Sequence, residues 1–255
     1  MLSGKRVVVT GAAGGAGRVT AEMFADAGAR VVVSDVSAEA LKAVREQRSD
    51  IAAVRCDAGA EDDVASLFDF ALDHLGGLDV LVNNVGIAGP TAAAEDVSLE
   101  DWNRTLAVNV GGHFLCAKRA IPIFKAQRSG AIVNVSSMSA KLGLPLRLPY
   151  VVSKAAVLSL TRNLARELGP FGIRVNAVVP GVIAGDRIRR VIEAKSKALG
   201  IDDEQYTREL VQFSSMKTMV TAADVAHMVL FLASDAAARI SGEEIAVDGD
   251  LCYET

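Results

Sequence analysis

The chain has 255 residues, 51% of them hydrophobic and 23% charged, with a formal net charge of -4. That balance allows a sizeable core, and the lack of any basic block excludes nucleic acid and anionic membrane as expected partners. No run approaches the ~18 apolar residues of a spanning helix, the three cysteines (Cys56, Cys116, Cys252) read as scattered reduced thiols of a cytoplasmic protein, and the scattered His74, His113 and His227 leave no zinc site and no other metal expected.

The elements alternate from the start. Arg6–Thr10 is a β-branched strand run, too short to be read as the apolar core of a signal peptide. The glycine turn Gly11-Ala12-Ala13-Gly14-Gly15-Ala16-Gly17 follows, then a helical pattern from Arg18 to about Ala27. Val31–Asp35 is a second strand, Ser37–Gln47 a helix, and Ile51–Arg55 a third strand ending at Cys56-Asp57. Glu61–Leu75 carries Val64, Leu67, Phe68, Ala71 and Leu75 at helical spacing and stops at Gly76-Gly77. Leu78–Val82 is the fourth strand and ends at Asn83-Asn84-Val85-Gly86. After a Gly/Pro/Ala loop, Ser98 and Asp101 have capping-box spacing, and a long helix carries Trp102, Leu106, Val110, Phe114 and Ala117. Ala131–Val135 is the fifth strand, a helix holding Tyr150 runs to about Leu168, and Ile173–Val179 is the sixth strand. Residues 182–218 are charged, helical and free of strand signal; a helix from Thr221 to about Ala233 and a last strand, Glu244–Val247, complete the chain. This predicts one domain over residues 1–255: a doubly wound, Rossmann-type parallel sheet of about seven strands, with a helical substrate lid at 182–218.

In such a sheet the ligand lies beyond the carboxyl ends of the strands, where the strand order reverses. Gly11, Gly15 and Gly17 stand between the first strand and first helix, where backbone can approach a pyrophosphate at a helix N-terminus. Asp35 ends the second strand, placed to accept hydrogen bonds from the adenosine ribose. A 2′-phosphate there would meet like charge, and no basic residue precedes Arg18 in the loop, so NAD is expected over NADP.

Tyr150 and Lys154 are four apart on one helix face. A cation beside a phenol favours the ionised form. Alone such a pair describes many helix surfaces.

Together, Thr10 to Gly17, Asn83-Asn84-Val85-Gly86, Ser137, Tyr150-x-x-x-Lys154 and Pro180-Gly181 occur in an order and at intervals that resemble the short-chain dehydrogenase/reductase family across essentially the whole chain. The resemblance implies a nicotinamide cofactor, oxidation of an alcohol or reduction of a ketone without metal, and a catalytic set at Asn109, Ser137, Tyr150 and Lys154. Ser136 is the neighbouring alternative to Ser137; strand alternation turns the two opposite ways, and the family spacing selects Ser137. The resemblance places the cofactor on Gly11, Gly14, Gly15, Ala16, Gly17, Asp35, Val36, Asp57, Ala58, Asn84, Val85, Gly86, Tyr150, Lys154, Pro180, Gly181 and Ile183. It also implies a homo-oligomer, usually a tetramer, built on the helices carrying Asn109 and Tyr150. Three positions depart from the family: Val85 for a usual alanine, Gly185 for a threonine that often binds the carboxamide, and Asp250 for a second glycine. At the former threonine's place, Asp186 or backbone groups are the expected substitutes.

The substrate-facing positions are expected at Met138 to Leu148, after Gly86, and in 182–219, with Ser137, Met138, Leu144 and Tyr150 nearest the substrate. Leu142, Leu144, Leu146 and Leu148 suggest an apolar or mixed substrate body; Arg187, Arg189, Arg190, Lys195 and Lys197 read as a solvated helix face. The leading reading is an NAD-dependent dehydrogenase of secondary alcohols. The rivals are an NADPH-linked carbonyl or 3-oxoacyl reductase and a catalytically silent NAD-binding regulatory protein.

Overall fold

The strands form where β-branched runs can be buried on both faces. A computed structural model describes residues 2–251, except the side chains of Arg187, Ala194, Lys195 and Ala198, so Cys252 and the side chains of Arg187 and Lys195 lie outside the described residues. The strands are β1 (Arg6–Thr10), β2 (Arg30–Asp35), β3 (Ile51–Arg55), β4 (Val80–Asn83), β5 (Gly130–Val135), β6 (Ile173–Pro180) and β7 (Glu244–Val247). They make one seven-stranded sheet, ordered β3-β2-β1-β4-β5-β6-β7 and parallel throughout. Alternate residues feed opposite layers. Val7, Val9, Val31 and Val33 pack with Phe24, Leu41, Val229 and Leu232; Val8 and Val32 share the other layer with Leu67, Phe68, Phe124 and Leu168.

The first layer holds α1 (Gly15–Asp26), α2 (Ala38–Gln47) and α10 (Ala222–Ala233); the second holds α3 (Glu61–Leu75), α5 (Gly112–Gln127) and α7 (Leu148–Leu168). Local chemistry sets their ends. Ser37 caps α2 by accepting from Ala40 N at 3.2 Å, and Gly76 ends α3 at φ +73°. A complete capping box starts α10: Thr221 N donates to the Asp224 carboxylate at 2.7 Å, and Asp224 N donates to Thr221 Oγ1 at 3.1 Å.

The helix after Ser98 differs from expectation in two ways. Ser98 Oγ accepts from Asp101 N at 3.0 Å, but the Asp101 carboxylate takes the Ser98 hydroxyl, so only half of the box forms. The expected long helix is also divided. α4 (Leu99–Leu106) passes into a π-helical turn, Ala107–Gly111, before α5. Thr105, Val108, Asn109, Gly112, His113 and Cys116 turn inward, while Phe114 stays 50% exposed. Residues four apart drift around a helix, which carries the Trp102-Leu106-Val110-Phe114 stripe off the core. Strand β4 starts at Val80 rather than Leu78, although Asp79 N already donates to Arg6 O at 2.8 Å and Asp79 O accepts from Ala131 N at 3.0 Å.

Residues 182–218 form α8 (Asp186–Leu199) and α9 (Asp203–Val211). A parallel bridge between Ile183 and Val220 closes the base of this segment. Its far end is tied to the chain beyond β7: Ser215 N donates to Asp250 O at 3.1 Å, Met216 N to Gly249 O at 3.2 Å, and the Ser215 hydroxyl to the Asp250 carboxylate. Asp250 sits at φ +60°, the region a glycine occupies without cost and aspartate tolerates better than most residues. Among the described residues no helix is long and apolar enough to cross a membrane.

Candidate active site

Every strand points its carboxyl end to one edge, and the order reverses between β1 and β4. Their tips, Thr10 and Asn83, open the crevice where a doubly wound sheet takes its ligand. The glycine loop is held there by Asn84, whose Nδ2 donates to Thr10 O at 3.1 Å and to Gly11 O at 2.8 Å. Thr10 Oγ1 accepts from Asn84 N at 3.2 Å and Val85 N at 3.3 Å. Asn84 therefore works by clamping the loop. Gly11, at φ +61°, would place a Cβ 2.7 Å from Val85 Cα; at Gly17 a Cβ would lie 2.5 Å from Gly11 O and inside contact distance of Asn84 Nδ2. Gly14 faces open space. The loop is a cradle that side chains would fill, at the N-terminus of α1, which suits a dinucleotide's pyrophosphate.

Asp35 lies beside that cradle. Its carboxylate accepts from Ala13 N at 3.2 Å and Ser37 N at 3.1 Å, and the next residue, Val36, is 55% exposed. Asp57 is braced from three sides: it accepts from Gly59 N at 2.9 Å and from Arg104 at 2.9 Å, while its own N–H donates to Asp63 at 2.8 Å. Burial pushes the Asp57 carboxyl up, but Gly59 and Arg104 together outweigh it and hold the group below the usual carboxylate range. Arg104 was not anticipated; it reaches Asp57 from α4, 47 residues away in the chain. Ala58 is buried, with its carbonyl 3.1 Å from where a Gly112 Cβ would be.

The catalytic candidates meet at the ends of β5 and α7. Lys154 is 4% exposed, and its Nζ donates to Val135 O at 2.9 Å and lies 6.0 Å from the Tyr150 ring centre. Ser136 is buried and its hydroxyl is spent on Lys154 O at 2.8 Å. Ser137 turns the other way, partly exposed, accepting from Ser139 N at 3.2 Å and the Ser139 hydroxyl at 3.0 Å. Both serines lie just past the end of β5, in different surroundings. Asn109, 0% exposed in the π turn, accepts from Ile87 N at 2.8 Å and donates to Ile87 O at 3.0 Å and Ser153 Oγ at 2.9 Å. Its side chain is used up in holding the loop after Gly86. Gly86 faces Lys154, with a missing Cβ only 3.1 Å from Nζ.

Two further residues belong to this place. Arg147 lies with its guanidinium 5.5 Å from the Tyr150 ring centre and donates to Ala88 O at 2.7 Å, while Leu146 O accepts from Ala92 N at 3.0 Å. These bonds join the loops on both sides of Tyr150. The position three before the tyrosine was the available signal. His113 is fully buried against Val85 O at 3.1 Å. Burial first, and the charge of Lys154 second, push its imidazole down to about 3, despite the Val85 carbonyl.

Around the mouth, Leu144, Leu146 and Leu148 are exposed, and Met138 is buried with Ala177 and Val179. Pro180 O accepts from Met138 N at 2.9 Å, and Gly181 would bring a Cβ to 2.8 Å from Asp248 Cβ. Gly185 begins α8 at φ +156°, ψ −178°, a backbone conformation that a threonine would strain. Asp186, the residue after it, is exposed and pairs with Arg189 at 3.1 Å. A separate cavity of about 620 Å³ opens at the amino ends of the strands, near Lys5, Arg166, Arg174 and Arg239, far from the crevice chemistry.

Residues 11–251 match the family described as Enoyl-(Acyl carrier protein) reductase. The chain belongs to the short-chain dehydrogenase/reductase family. It is thus related to oxidoreductases that act on alcohols and ketones with nicotinamide cofactors. It is 34% identical over 252 residues to the 7alpha-hydroxysteroid dehydrogenase of Escherichia coli K12, covering 97% of this chain and 94% of that one. It is 37% identical over 254 residues to (+)-borneol dehydrogenase 2 of Salvia officinalis, covering 97% and 89%. The crystal structure of NAD+-bound xylitol dehydrogenase superposes with a TM-score of 0.89 at 29% identity, covering 96% of this chain and 98% of that one. These matches bear out the fold and the family expected from the motifs.

Proposed function

We propose that this short-chain dehydrogenase/reductase is an NAD-dependent dehydrogenase of secondary alcohols, with residues 182–218 as the substrate lid of a single domain. The observation that carries this reading is the division of labour around Tyr150. Lys154 is buried beside it, Ser136 is spent on backbone, and Ser137 is partly exposed, with only Ser139 bonded to its hydroxyl. When bound, the nicotinamide cofactor supplies the hydride acceptor. Tyr150 takes the hydroxyl proton of the alcohol, and Ser137 steadies the oxygen as its charge changes. Lys154, with Nζ 6.0 Å from the Tyr150 ring centre, would hold the cofactor ribose. With its side chain committed to Ile87 and Ser153, Asn109 would use its backbone carbonyl to hold a water that links Lys154 to solvent.

The cradle of Gly11, Gly14, Gly15, Ala16 and Gly17 would receive the pyrophosphate. Asp35 would take the adenosine ribose, with Val36, Asp57 and Ala58 around the adenine. Val85, Gly86, Pro180, Gly181 and Ile183 would line the remainder. Asp35 supports NAD, since its carboxylate is fixed by two backbone N–H groups and would face a 2′-phosphate as like charge. The apolar mouth at Met138, Leu144, Leu146 and Leu148 suits an apolar or mixed alcohol, and relatives named for a hydroxysteroid and for borneol point the same way. The half-exposed Phe114 face supports a homo-oligomer, a tetramer by family habit.

The test is Tyr150→Phe with a panel of polyols, cyclic alcohols, hydroxy acids, hydroxysteroids and aryl carbinols, using NAD. Turnover should fall by about 10²–10⁴ while NADH binding persists. Retained turnover would remove Tyr150 as the acid/base. Activity confined to ketones with NADPH would favour the reductase reading, and NADH binding without turnover in the wild type would favour the regulatory one.

A further inference from the structure

We propose that His113 is a positioning residue of the cofactor pocket: its neutral imidazole, donating from Nε2, holds the Val85 carbonyl and so fixes the Val85–Gly86 wall against the glycine loop. This rests on the reading that Val85 and Gly86 face the nicotinamide cofactor.

The ring is 0% exposed, with Nε2 3.1 Å from Val85 O. A carbonyl can only accept, so Nε2 carries the hydrogen and Nδ1 is the bare nitrogen. Nδ1 is buried and has no hydrogen-bond partner among the described residues. One end of the ring is thus devoted to a single backbone oxygen, while the other tolerates an unfavourable burial.

The surroundings show what that contact controls. His113 O also accepts from Asn83 Nδ2 at 3.3 Å. The same residue therefore grips the chain on both sides of Asn84, which is itself bonded to Thr10 O and Gly11 O. Across the pocket, Val85 Cα would lie 2.7 Å from a Cβ on Gly11, and Gly86 lies beside Lys154 Nζ. The backbone of Val85 is held between the glycine loop and His113, with the catalytic lysine next along. Val85 carries more bulk than the alanine usual in the family, so a free carbonyl here would let a larger side chain swing toward the ligand. Burial and the neighbouring Lys154 keep the imidazole uncharged, so it adds no second positive charge beside the lysine.

The experiment compares His113→Leu, which keeps volume and loses the donor, with His113→Gln, whose amide N–H can reach the same carbonyl. NADH affinity is read by fluorescence titration, KM for cofactor and kcat by steady state, and folding by thermal melting. The imidazole tautomer of the wild type is read by ¹⁵N NMR from about pH 5 to about pH 9, the range in which an ordinary histidine titrates. The Leu variant should bind NADH roughly fivefold to tenfold more weakly, as for one lost hydrogen bond, with kcat at saturating cofactor nearly unchanged. The Gln variant should recover most of the affinity. Wild-type His113 should show the Nε2–H tautomer and no titration. A folded Leu variant that binds NADH as tightly as wild type overturns the proposal. So does a Gln variant as weak as Leu, or an Nδ1–H or protonated imidazole in the wild type. The NMR result needs no cofactor and stands if the Leu variant fails to fold. A wild type that binds neither NADH nor NADPH would instead sink the cofactor reading.

Discussion

Replacing Gly17 with alanine separates the glycines that a motif treats alike. The new Cβ would lie 2.5 Å from Gly11 O and 3.1 Å from Ala12 Cα, and would press on the Asn84 amide. Backbone on one side leaves the amide as the part that yields. That amide makes two bonds, at 3.1 Å to Thr10 O and 2.8 Å to Gly11 O. Losing both costs about 1–3 kcal/mol, and overpacking adds about 1–3 kcal/mol. Alanine returns about 1 kcal/mol of helix propensity, because Gly17 lies in the first turns of α1. The net loss is about 1–5 kcal/mol, a fall in Tm of roughly 2–20 °C for a protein of this size. NADH affinity, read by fluorescence, should fall with it, because the loop itself moves. The control is Gly14→Ala, with extended backbone (φ −157°) and no atom within 4 Å of the added carbon. It should melt within about 3 °C of wild type, the small loss reflecting alanine at an N-cap. A Gly17→Ala protein that melts and binds NADH like wild type, or a Gly14→Ala protein that falls as far, would refute the reasoning.

Other perturbations have equally definite outcomes. Wild type should bind NADH more tightly than NADPH, and Asp35→Asn should narrow that preference by about tenfold in paired titrations; an unchanged ratio would remove Asp35 as the discriminator. Burial pushes the Asp79 carboxyl up, but Arg6, at 2.8 Å and 2.9 Å, and the Arg6 backbone N–H outweigh it and hold it below its ordinary value. A depressed carboxyl adds stability above the unfolded value near ~3.9 that is lost as pH falls through the folded one. Arg6→Met should therefore cost about 1–2 kcal/mol in urea unfolding at neutral pH, with the gap to wild type closing below roughly pH 4. A gap independent of pH would argue against the ion pair. Thr221→Ala removes a complete capping box and should cost about 1 kcal/mol by thermal melting; no loss would mean that packing alone fixes the start of α10.

Local patterns were enough for much of the molecule. Val7-Val8-Val9 and Val31-Val32-Val33 can only be strands buried on both faces, and Glu61–Leu75 with Gly76 fixes α3 residue for residue. Period two set Ser136 and Ser137 apart, and the family spacing to Tyr150 then chose Ser137. The family motifs, each a few residues long, supplied the other expected cofactor and catalytic positions. What the sequence left open depends on contacts between distant segments. Arg104 braces Asp57 across 47 positions, and Asn84 clamps a loop 73 or more positions away. The π turn at Asn109 interrupts that helix, and no nearest-neighbour pattern encodes it. His113 looked like a stray polar residue until folding placed its imidazole on Val85 O. Strand and helix follow from short-range sterics and periodicity. Which N–H meets which carbonyl across the crevice is settled only when the layers pack, because those hydrogen bonds join residues that only tertiary structure makes neighbours.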